Sequence, residues 1–302
     1  MTTSRSDHRR AVALLCFCAL CWSIAGVFVR RLDSAQGFEV TFWRSLFCLL
    51  AVLAILLWQR GRHALAPLRE MGRAGLVSGL MWSVMFTCFT VALTLTSTAN
   101  TLLVSSISPL LSALLAWLVL GERVRPGTWW AIAVALGGIW WMVHDGISAQ
   151  GATGMLVALG VPLAVAINLV TLRKMHARVD LAPAVLLGAL FSCLATLPMV
   201  RFSAVSLHDL SILALLGVVQ LALPCMLMVR AAKHLAPQEM ALIGLLEVVL
   251  GPIWAWVGAG EAMPPATMQG GLVVIVALVI DAWRGRTPAI AQGKSNKITS
   301  AS

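Results

Sequence analysis

The chain has 302 residues, 60% of them hydrophobic and 11% charged, with a mean hydropathy of +0.90 and a formal net charge of +10. This excludes a soluble globular domain, in which about 45–50% of residues are apolar and about 25% charged. The deciding feature is the apolar run of roughly 20 residues, long enough to cross about 30 Å of hydrocarbon.

Ten such runs follow one another, with boundaries placed to about 2–4 residues. The first, 11–29, follows MTTSRSDHRR, a basic lead-in resembling that of a signal peptide; the nine further runs make it an uncleaved first helix. The second, 38–58, carries Arg44 near one end, and the third, 74–95, holds Gly75, Gly79, Ser83, Thr87, Thr90 and Thr94 at helical spacing. The fourth, 98–120, has Thr101, Ser105, Ser108 and Ser112 on one face, and the fifth, 128–147, is rich in Trp. The sixth, 152–172, contains Asn168; the seventh spans 182–200; the eighth, 210–230, sets Gln220 and Pro224 on one face. In the ninth, 237–258, Gly244, Glu247 and Gly251 share a face, and the tenth covers 266–284. The connections are too short for a soluble domain, and the Lys-, Ser- and Gln-containing tail reads as disordered.

The positive charge is an orientation signal. With the amino terminus inside, 18 of the 22 Lys and Arg residues fall in the termini and cytoplasmic connections, among them Arg60, Arg73, Arg125, Arg173 and Arg230. The other face holds Arg30, Arg31 and Arg201, and Arg44 lies within a span. This is the positive-inside pattern, and it argues against a nucleic-acid partner. The expectation is a multi-pass protein of the plasma membrane, in a bacterium the inner membrane, with both termini cytoplasmic.

At an offset of 139, AWLVLGERVRPGT (116–128) aligns with AWVGAGEAMPPAT (255–267), sharing Ala, Trp, Gly, Glu, Pro and Thr. The repeating unit is therefore five helices, an odd number, so two units in tandem enter the membrane from opposite sides. The expected fold is an all-α polytopic membrane protein of ten transmembrane helices in two inverted repeats, 1–147 and 148–284, with 285–302 as a cytoplasmic tail.

SPLLSALLAWLVLGERV at 108–124, EVVLGPIWAWVGAGE at 247–261 and FWRSLF at 42–47 resemble the signatures of the ten-helix EamA-type permeases of the drug/metabolite transporter superfamily. The likeness covers about 11–284. The second copy departs from the pattern: Val248 stands where Pro commonly follows the Glu, and the Pro comes later as Pro252. The resemblance implies a carrier of small metabolites, often an exporter.

Glu247 is the sharpest site candidate. It lies about ten residues into its span, some 15 Å at 1.5 Å per residue, near the midplane. A charge there is disfavoured by about 2.5–3.5 kcal/mol, which packing alone does not require. The offset pairs Ser108 with Glu247 and Ser105 with Gly244, so both stripes should face the pseudo-two-fold axis. Arg44 has two readings: its long side chain snorkels to the surface, or it meets a substrate carboxylate or a helix carbonyl end. Ser83, Thr87 and Thr90 serve either a solute or helix packing. Gln220, Asn168 and Trp22 are further cavity candidates. Glu122 and Glu261 read as acids at helix amino termini, and the seven Cys as apolar filler.

No catalytic or metal-ligating set stands out. PAIAQGKS at 288–295 lacks the first Gly of a P-loop, so no nucleotide machinery is implied. The expected function is a secondary transporter, an exporter of small metabolites or amino-acid-like solutes working by alternating access, with Glu247 binding a proton or a cationic group of the solute. An intramembrane enzyme acting on a lipid-soluble substrate and a passive channel are the rival classes. No cofactor is expected, and the partners are a small-molecule solute and the lipid bilayer.

Overall fold

The structure, a computed structural model, describes residues 5–284 apart from 36, 64–65, 145–147, 175–180, 203–204, 232–233 and 236. The expected tail therefore lies outside the described residues. Helix is the only regular element among them. The first expected span is α1 (Arg5–Ser23) with α2 (Ala25–Val29), and the second is α3 (Gly37–Arg60). After a short α4 (Ala66–Glu70) come α5 (Gly72–Leu95) and a fourth span split into α6 (Thr98–Ser105) and α7 (Ser108–Leu120). α8 (Pro126–His144) precedes a sixth span split into α9 (Ala149–Ala158) and α10 (Gly160–Lys174). α11 (Leu181–Thr196) is followed by α12 (Leu207–Leu215), a π-helical stretch (Leu216–Ala222) and α13 (Leu223–Ala231), which together form the eighth. α14 (Pro237–Ala259) and α15 (Pro265–Arg284) complete the bundle.

Among the described residues, nine of these units are long and apolar enough to cross a membrane. The expected fifth span forms as α8 but is not among them. Its 19 residues carry no Asp, Glu, Lys or Arg, and the last three residues of the expected span, 145–147, lie outside the described ones.

The breaks follow from missing amide hydrogens. Pro109 cannot donate to the Ser105 carbonyl, and its ring crowds that group. The Ser108 hydroxyl supplies the bond instead, donating to Ser105 O at 2.5 Å, and α6 gives way to α7. Pro162 has the same effect near the Ala158–Gly160 junction between α9 and α10. Pro224 follows the π stretch in which Gln220 sits. In α14 the helix runs on through Pro252.

Both Gly-Glu signatures end a helix in one geometry. Gly121 and Gly260 have φ +69° and +67°, a region only glycine enters without strain. The amides of Glu122 and Glu261 then bond the carbonyls of Ala116 and Ala255, six residues back.

Packing pairs recur when the spans are shifted by five. α1 lies against α14 as α10 lies against α7, α1 against α13 as α10 against α5, and α11 against α5 as α3 against the π stretch. The bundle's outer surface is apolar, with Leu118, Leu156, Leu194 and Leu272 exposed and Trp58, Trp129, Trp140 and Trp283 near helix ends. Such a continuous apolar exterior suits lipid, with indole rings at its borders. One end of the bundle carries Arg60, Arg73, Arg123, Arg125, Arg173 and Arg230; it is called the basic end below, and the other the far end.

Candidate functional site

A cavity of about 410 Å³ lies between α1, α3, α5, α6, α7, α10, α13 and α14. Trp22, Arg44, Ser105, Ser108, Asn168, Gln220 and Glu247 all line it. The helix spacing thus brings together residues from six spans that are far apart in sequence.

Glu247 is half-buried, and among the described residues none hydrogen-bonds its carboxylate. It is set into the wall by the shape of α14. At Gly244 a side chain would meet nothing within 4 Å, whereas at Gly251 it would overlap Leu102. The helix is therefore free where it passes the cavity and packed tightly two turns further on. Ser105 and Ser108 line the same cavity, each with its hydroxyl turned onto a backbone carbonyl one turn earlier, Thr101 O and Ser105 O.

Arg44 neither snorkels nor meets a helix end. It is 3% exposed, and its guanidinium donates from Nε and Nη2 to Gln220 Oε1 at 3.1 and 2.9 Å and from Nη1 to Thr90 Oγ1 at 2.6 Å. It also stands 5.8 Å from the centre of the Phe89 ring, a cation–π distance. Gln220 in turn donates from Nε2 to the Trp22 carbonyl at 3.4 Å. The groups bonded to Arg44 are all neutral, so its charge is oriented without being cancelled. Glu247 is the acid that shares its cavity.

Ser83 and Thr87 do not line the cavity. Ser83 is buried where α5 meets Gly188 of α11, and Thr87 Oγ1 lies 3.0 Å from Ser192 Oγ, which also accepts from Ser45 Oγ at 3.0 Å. The small and hydroxyl stripe of α5 packs on α11. The adjoining face, Trp82, Met85, Phe86 and Phe89, forms the cavity wall. The sequence reading missed these four, although they too recur at intervals of three and four. Both Asn168 Oδ1 and Trp82 Nε1 are buried without a hydrogen-bond partner, an uncommon condition for polar atoms.

A second cavity, of about 430 Å³, opens at the far end between Arg30, Thr96, Asn100, Gln150, Glu261 and Thr267. Elsewhere at that end Asp33, His208 and Asp209 come together. Asp209 is spent on structure: its carboxylate accepts the amides of Asp33, Ser34 and Ala35 and the Ser34 hydroxyl, at 2.7–3.0 Å.

The EamA-like transporter family model matches this chain twice, over 9–144 and 152–281. The chain belongs to the EamA-like transporter family. Two relatives of this EamA-like protein are the pseudopaline exporters CntI of two Pseudomonas aeruginosa strains, each 24% identical over 280 residues, or 90% of this chain and 95% of theirs. An uncharacterized transporter of Vibrio cholerae is 29% identical over 143 residues, 46% of this chain and 47% of its own. One solved crystal structure shares the fold, with a TM-score of 0.64 and 19% identity over 94% of this chain and 100% of that one. The EamA-like chain is a multi-pass membrane transporter of a small-molecule solute, and not an enzyme.

Proposed function

We propose that this transporter exports small amino-acid-like solutes from the cytoplasm by alternating access, using the Arg44–Glu247 cavity as its binding site. The observation that carries the reading is one cavity holding one oriented cation, one acid with no hydrogen bond among the described residues and an aromatic wall. A zwitterion satisfies both charges at once: its carboxylate meets the planar, two-pronged guanidinium and its ammonium the carboxylate. Trp22, Trp82, Phe86 and Phe89 take the apolar part. Solvation lost on entering a 410 Å³ cavity is then replaced by fixed partners. Export is favoured by the exporter relatives. In the same reading Glu247 holds a coupling proton when no solute is bound, which links the two flows.

The ten spans form two inverted five-helix repeats, 1–147 and 148–284, which the recurring packing pairs and the two family matches support. α8 serves as the fifth span, packed against α15. The basic end faces the cytoplasm of a bacterium and the far end the outside, as the charge asymmetry favours.

The test is a metabolite-wide comparison of efflux and uptake in cells with and without the chain, followed by counterflow in vesicles. A saturable zwitterionic solute is the expected result. Flux that rises without saturation, or a substrate carrying a single charge type, would refute the proposal.

A further inference from the structure

We infer that Arg30, Glu261 and the Thr96–Thr98 turn form a latch that closes the far mouth, and that the repeat-related Glu122 site at the basic end is built differently. The inference rests on the alternating-access reading above. Glu261 stands just beyond the end of α14 and accepts three donors: Thr98 N at 2.6 Å, Thr98 Oγ1 at 2.8 Å and Arg30 Nε at 3.1 Å. Arg30 Nη2 donates to the Thr96 carbonyl at 2.5 Å, and Arg31 donates twice to Gly258 O, at 2.8 and 3.2 Å. Three spans, the first, the fourth and the ninth, are thereby tied at one end by charge-assisted bonds, which are shorter and stronger than neutral ones.

The backbone beneath the latch is equally closed. A side chain at Gly26 would overlap that of Thr98, one at Gly258 would overlap Val27, and one at Gly154 would fall 2.7 Å from Thr96 Cβ. Toward the basic end of α14, Gly244 is open. The central cavity is thus sealed on the far side by small residues and an ion pair.

The repeat offset shows how the Glu122 site differs. Glu122 is the mate of Glu261, with the same helix-ending geometry, and it pairs with Arg173 at 3.1 Å. Yet the mate of Thr98 is Pro237, which has neither an amide hydrogen nor a hydroxyl, and the mate of Ser97, whose hydroxyl caps α6, is Ala236. The two donors that grip Glu261 have been removed from the other copy. Exposure agrees: the Glu261 and Arg30 side chains are 14% and 31% exposed, those of Glu122 and Arg173 49% and 44%. The carrier therefore rests with its far mouth shut, and each cycle must break the latch.

The test is sided labelling. In a background with the seven native cysteines changed to alanine, Ser105→Cys reports on the central cavity, and a membrane-impermeant maleimide is applied to intact cells and to inside-out vesicles. The parent should react from one side only. Glu261→Gln and Arg30→Gln should each add reaction from the other side, with a rise of about tenfold or more, the population shift expected on losing one charge-assisted contact. Arg30→Gln leaves the Thr98 cap intact, so it decides the matter if Glu261→Gln does not assemble. Unchanged one-sided labelling in assembled variants overturns the latch. Labelling needs no solute, so a failed latch leaves the transport proposal standing, and a failed solute search leaves the latch to be judged by labelling.

Discussion

Replacing Arg44 by Lys keeps the charge and removes the fork. The guanidinium makes three hydrogen bonds, two to Gln220 Oε1 and one to Thr90 Oγ1. A lysine ammonium on this stem holds one of the two partners, not both. Hydrogen bonds to charged groups are worth about 1.5–3 kcal/mol each. If Thr90 is the partner lost, its hydroxyl still donates to the Phe86 carbonyl at 2.8 Å, so no buried donor is orphaned. We expect a loss of about 2–3 kcal/mol, the value of one charged bond with little added penalty. Transport should suffer more, because a point charge cannot hold a carboxylate at two places; apparent affinity should fall about tenfold or more. The assays are thermal unfolding of the purified protein in detergent and initial transport rate against solute concentration at matched expression. Parental stability and affinity in Arg44→Lys would refute the reasoning, since the fork would then do nothing that a single ammonium cannot.

Three further outcomes are expected. Gly26→Leu should lower thermal stability by about 1–3 kcal/mol through overpacking against Thr98, whereas Gly244→Ala, with free space around it, should leave the melting temperature unchanged. Asp209→Ala leaves the buried amide of Ala35 without its acceptor, so unfolding free energy should drop by at least about 1–3 kcal/mol, with faster proteolysis at 33–35 as the second readout. A reporter fused after Ser302 should be active only in the cytoplasm and one inserted within 148–154 only outside; activity on the same side would reverse the assigned topology.

The fold was legible because a membrane allows few alternatives. Among the described residues nine helical units are long and apolar enough to cross, and α8 stands where the other span was expected, since apolar length and the need to satisfy each backbone group favour helix. The breaks were less visible. A proline signals a missing bond, yet Pro109 ends α6 while Pro252 lies inside an unbroken α14. At Pro109 the Ser108 hydroxyl takes the freed carbonyl. At the candidate site, the two charged residues singled out inside spans, Glu247 and Arg44, line one cavity. Of the hydroxyl groups, Ser105 and Ser108 line that cavity while two on α5 face elsewhere. Ser83 and Thr87 satisfy themselves against α11, and the cavity wall is made of Trp82, Met85, Phe86 and Phe89, apolar residues that look the same in sequence whether they face lipid, a neighbouring helix or a solute.

The central claim is that Glu247 handles charge during transport. Its most direct test is the initial rate of solute transport against pH in Glu247→Gln, at matched membrane expression, beside the parent and Ser108→Ala. Gln is nearly isosteric with Glu, and a neutral group inserts more easily than a charge, so the fold should be kept. The account predicts that the variant reaches the membrane in normal amount, loses most of its transport and shows a flattened pH profile, while Ser108→Ala is affected far less. Parental rates with an unchanged pH profile in Glu247→Gln would contradict it.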